Sequence, residues 1–128
     1  MKLIFSFITL CLLLTACGRS DAKLQRLVTG TWVVEAGNNI QSVNSIKPDG
    51  AYAAKVTGFT NGSVVMIEGT FRVKNGALVE TVTKSSQQNE QVPFVVHGQI
   101  IRLNDQEMVA KWDTKPVSVI VVARKVQD

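Results

Sequence analysis

A chain of 128 residues has length for one domain and no more once an N-terminal leader is set aside. Its formal charge of +4 is spread out without a run of Lys and Arg, which excludes the clustered basic stripe with aromatic partners of a nucleic-acid surface. The two cysteines, Cys11 and Cys17, both lie near the start. The rest of the chain then has neither disulfide nor free thiol, and its stability must come from core burial.

Met1-Lys2 is a minimal positive n-region, and Leu3 to Leu14 is an apolar run. It is shorter than the roughly 20 residues of a membrane span, so it reads as a secretory signal. Leu14-Thr15-Ala16-Cys17 resembles a bacterial lipobox, which implies cleavage before Cys17 and acylation of that cysteine. Gly18, where Asp would otherwise stand, implies sorting to the outer membrane, on its periplasmic side. The organisation read from the sequence is therefore a signal peptide over 1–16, a lipidated tether over 17–23 and a folded domain over 24–128. Loss of the leader with Lys2 lowers the formal charge to +3, and attraction to anionic headgroups is secondary to the acyl anchor.

Ser20 or Asp21 is placed to cap a single helical turn through Leu24 to Val28, whose apolar residues would plug a barrel floor. Beyond Gly30 no helical period survives, and turn signals recur about every ten residues, as in an antiparallel barrel or sandwich. The expected strands are Thr31–Glu35, Gln41–Lys47, Ala51–Thr57, Ser63–Lys74, Ala77–Lys84, Gln91–His97, Gln99–Leu103, Gln106–Trp112 and Val117–Lys125. Pro48-Asp49-Gly50 suits a type I turn, Asn75-Gly76 is the strongest hairpin signal, and Asn104-Asp105 is a weaker one. The strands exceed by one the number an eight-stranded barrel requires, so His97-Gly98 is read as a bend within a strand.

Three stretches carry a family resemblance: Thr29-Gly30-Thr31-Trp32 opening the first strand, Ser45 to Tyr52 around the second hairpin, and Gly69 to Leu78 around the central one. Together they resemble bacterial lipocalin-like, calycin-type domains over nearly the whole mature chain. The resemblance implies an all-β fold: a small up-and-down antiparallel barrel of about eight strands with a short N-terminal helical turn. It also implies barrel closure by Trp32 packed under Arg124 of the last strand, a guanidinium stacked on an indole. The long fourth strand and the short loop Gly58 to Gly62 argue against a deep calyx.

A two-residue turn at Asn75-Gly76 pairs Val73 with Leu78 and Phe71 with Glu80. Val65, Ile67, Phe71, Val73, Leu78 and Val82 then face the core, and Glu80 faces inward with them. An inward carboxylate needs a partner or must hold its proton; a place at the barrel rim or a core Arg partner is the structural alternative. The same exercise at Asn104-Asp105 pairs Arg102 with Glu107 in an exposed ion pair. It turns Ile101, Leu103, Met108, Ala110 and Trp112 inward, and Ile120, Val122 and Arg124 share one face of the last strand.

Catalytic signatures are missing: there is no Gly-x-Ser-x-Gly elbow, no His-Glu-x-x-His and no Gly-rich phosphate loop. His97, the only histidine, has no ligand cluster around it in sequence. No metal or cofactor is therefore expected, and no enzymatic activity. Candidate binding residues are Phe59, held between two glycine-bearing turns at the barrel mouth, together with Tyr52, Glu80 and Trp112. The expected role is binding of a small apolar molecule or a cell-envelope protein; the alternative is inhibition of a periplasmic or exogenous hydrolase through the barrel loops.

Overall fold

Ser20 opens the fold. Its hydroxyl accepts a hydrogen bond from the Lys23 N–H at 3.2 Å and caps helix α1, Asp21–Val28, in the computed structural model, which describes residues 19–87, 89–114 and 116–126. The helix is longer than the single turn read from the sequence, and Leu24 and Val28, one turn apart, bury the same stripe. The leader and Cys17 lie outside the described residues.

Eight strands follow: β1 Gly30–Glu35, β2 Gln41–Ile46, β3 Ala51–Thr57, β4 Val65–Lys74, β5 Ala77–Ser85, β6 Phe94–Leu103, β7 Glu107–Thr114 and β8 Val117–Lys125. Each pairs antiparallel with the next, and β8 returns to β1, so the sheet closes on itself and leaves no free edge. This is the up-and-down barrel expected, and its architecture is compatible with a lipocalin-like fold. The expected Gln91–His97 and Gln99–Leu103 strands are one strand, β6, which passes through Gly98. A side chain at Gly98 would come within 2.9 Å of the Trp112 ring, so the glycine makes room for the indole laid across it.

The turn chemistry fixed several registers. Asn75 and Gly76 both take positive φ, 52° and 77°, and the pairs Lys74–Ala77, Val73–Leu78 and Phe71–Glu80 form as expected. Asp49 accepts from the Ala51 N–H at 2.9 Å and tightens the β2–β3 turn. The β6–β7 connection differs from the two-residue turn expected. Asn104 accepts from both the Gln106 and Glu107 N–H groups, and its own N–H donates to the Glu107 carbonyl. That longer turn pairs Leu103 with Met108 and Arg102 with Val109. An irregularity between Ile100 and Arg102 then turns Ile101 outward, 52% exposed, instead of inward. Arg102 still reaches Glu107 at 2.9 Å, now on a diagonal.

Antiparallel order sends alternate connections to opposite ends. The β2–β3, β4–β5 and β6–β7 turns share one end with α1. Here Asp21 accepts from the Asn75 and Gly76 N–H groups, and Gln25 both donates to the Phe71 carbonyl and accepts from the Val73 N–H. Arg19 donates to the Leu103 carbonyl at 2.9 Å. Leu24, Val28, Trp32, Val73, Leu78 and Leu103 fill the barrel above the helix and seal this floor. The β1–β2, β3–β4, β5–β6 and β7–β8 connections leave from the other end, the mouth.

Candidate functional site

Trp32 anchors the floor and sets the lower limit of any interior space. It is completely buried, and its indole Nε1–H donates to the Val28 carbonyl at 2.8 Å. The cation over its ring is Lys125, with Nζ 5.4 Å from the centroid. Trp32 and Lys125 are cross-strand partners in the β1–β8 closure. Gly30 accommodates the lysine stem: its φ is +136°, and a side chain there would strike Lys125 Cε at 2.6 Å. The Trp32–Arg124 stack is thus corrected. Arg124 stands opposite Val33, on the outer face, beside Glu35 and Val122 in a shallow depression. A one-residue difference in strand parity separates the two outcomes.

Above the floor the barrel holds a half-open cavity of about 330 Å³. That places it at the small end of the roughly 300–1,000 Å³ range of ligand pockets, in keeping with the shallow calyx expected. Its walls are mostly apolar: Val34 on β1, Val96 on β6, Ala110 on β7, and Val119 and Val121 on β8. Val119 lines the cavity yet is 46% exposed, which locates an opening at the mouth beside Thr114.

Three aromatic rings converge on the interior. Tyr52 and Phe71 are 5.9 Å apart and tilted by 47°; Phe71 and Trp112 meet edge-on at 5.8 Å and 71°. Glu80 joins them because β5 places it opposite Phe71 on the inward face. Burial pushes the Glu80 carboxyl above its usual range; the Tyr52 hydroxyl beside it works in the opposite direction, and the Glu90 charge adds to the rise. The Tyr52 hydroxyl is itself pushed up, first by burial and then by the Glu80 carboxylate. Among the described residues no fully buried side-chain nitrogen or oxygen lacks a partner.

Tyr52, Glu80 and Trp112, named as candidate binding residues from the sequence, line one cavity. Phe59 does not join them. It lies half-buried in the β3–β4 loop, where its carbonyl accepts from the Gly62 N–H, and it is not part of the cavity wall. His97 is exposed on the outer face, near Asn75 and Lys111. Among the described residues no three of His, Cys, Asp and Glu converge in a way that could hold a metal ion.

Ser42 and Asn44 are polar cavity residues that sequence reasoning missed. The Ser42 hydroxyl donates to Asn44 Oδ1 at 2.7 Å, leaving the Asn44 amide NH₂ free of that bond. On β2 the ordinary pattern is inverted, with Val43 facing out at 39% exposure and its polar neighbours facing in. The signal that finds them is the register across the β1–β2 turn, since Asn44 is the cross-strand partner of Trp32 and must share its face.

No protein-family model matches this chain, and neither a curated protein nor a solved structure matches it at a significant level.

Proposed function

We propose that the chain is a lipid-anchored periplasmic lipoprotein of lipocalin-like type, acylated at Cys17 and held at the outer membrane, with a non-enzymatic role in binding a small apolar molecule. The half-open apolar cavity is the observation that carries this reading, and it favours carriage over loop-mediated inhibition of a hydrolase. The arrangement of the ends is in keeping with the anchor. Residue 19 sits at the sealed floor, so a tether at Cys17 would leave the mouth facing away from the bilayer. Exposed Lys23, Arg26, Lys47, Lys74 and Arg102 surround that floor, where anionic headgroups would meet them.

The test has two arms. Cys17→Ser should release the protein from the membrane fraction, and retention after a salt wash would remove the anchor from the reading. The protein should also take up an apolar fluorescent probe; failure to do so would remove carriage.

A further inference from the structure

The cavity is lopsided in its chemistry. Its one ionisable side chain of ordinary carboxylate or cationic type is Glu80, and no Lys, Arg or His is among its lining residues. An anionic ligand head would enter a poorly solvated space beside a carboxylate with no cation to pair with. A cationic head would find an acceptor at Glu80 and three ring systems, with Phe71 packed against both Tyr52 and Trp112. A carboxylate flanked by aromatic faces is the arrangement that recognises an ammonium, through a charge-assisted hydrogen bond and cation–π attraction together. Lys125, on the inward side of β8, is engaged over Trp32 at the floor.

We propose that this cavity is an amine site: it takes a small amphiphile whose protonated amino group sits at Glu80 among Tyr52, Phe71 and Trp112, with its apolar remainder along Val34, Val96 and Val121 towards the mouth. This rests on the carrier reading and narrows it to a ligand class. A fatty carboxylate is disfavoured by the same geometry, since no lining cation offsets its charge beside Glu80. The length of the apolar remainder is limited by the cavity, about 330 Å³, so short chains fit and long ones must protrude past Val119.

The experiment compares hexylamine, hexanol and hexanoate on the mature chain in phosphatidylcholine vesicles, with protein-free vesicles as the blank and tryptophan fluorescence as the readout. Hexylamine should bind about tenfold or more tightly than the other two, from a charge-assisted pair plus cation–π contact. Glu80→Gln should remove that preference, bringing hexylamine to the level of hexanol measured on the same variant. Amine affinity on the unaltered chain should also rise as pH climbs through the elevated Glu80 ionisation, a readout that needs no variant. Equal affinity for all three ligands, tighter binding of hexanoate, or an amine preference that survives Glu80→Gln would overturn the amine site while leaving the carrier reading in place. If none of the three binds, and the apolar probe is not taken up either, both fall.

Discussion

The two ends of this barrel are built on opposite principles. At the floor every element is tied to another: α1 is capped by Ser20, Gln25 bridges two backbone groups of β4, and Asp21 holds the β4–β5 turn. Trp32 lies under all of it with no exposed surface. At the mouth, Val119 faces the interior and is nearly half exposed, and Phe59 rests half-buried in a loop. The mouth can stay open because pairing of β1 with β8 closes the sheet and leaves no strand edge for a covering element to satisfy. The difference assigns stability to the floor and ligand access to the mouth.

Substitutions at the two ends should therefore differ in size. Trp32→Ala should cost about 3–5 kcal/mol in denaturant unfolding, as for other fully buried aromatic truncations. Gln25→Ala should cost about 1–3 kcal/mol, since the Phe71 carbonyl and Val73 N–H both lose a partner in a partly buried place. Phe59→Ser at the mouth should cost only about 1 kcal/mol, because a half-buried ring forfeits half of its transfer energy. A loss as large as that at Trp32 would erase the contrast between the ends.

A finer test concerns what covers Trp32. Double-mutant cycles should give a coupling of about 0.5–1 kcal/mol between Trp32 and Lys125, in the range of cation–π pairs, and none between Trp32 and Arg124. Coupling to Arg124 instead would mean that the parity of β8 is reversed. The last expectation is a slope. Glu80 holds its proton more tightly folded than unfolded, so the protonated form favours the folded state. Stability from this group is fully present below the ordinary carboxyl value of 4.5 and declines as pH rises through the higher folded value. Glu80→Gln should flatten that decline in thermal melts taken from pH 4 to pH 8, and an unchanged slope would place the ionised carboxylate in free contact with water.

Much of this was legible from residue order alone, and the reason is local. Asn75-Gly76 favours the tight two-residue turn with positive φ at both positions, and that turn sets the β4–β5 register and sends Glu80 inward. Ser20 and the Leu24–Val28 spacing mark the floor helix in the same way. What stayed hidden depended on contacts between distant strands. Val117 to Val126 is apolar on both faces, so period-two alternation carries no information about which side is in. Only pairing with β7 and β1 decided it, and that decision moved the cation over Trp32 from Arg124 to Lys125. The β6–β7 register is a local exception, shifted because Asn104 gathered two N–H groups into a longer turn than the two residues expected. The cavity belongs to the same category: Tyr52, Phe71, Glu80 and Trp112 come from four strands, and closure of the barrel alone brings them to one wall-lined space. Sequence determined the Asn75-Gly76 and Pro48-Asp49-Gly50 turns because a turn is a property of a few adjacent residues; the interior was left to tertiary structure because its volume depends on every strand at once.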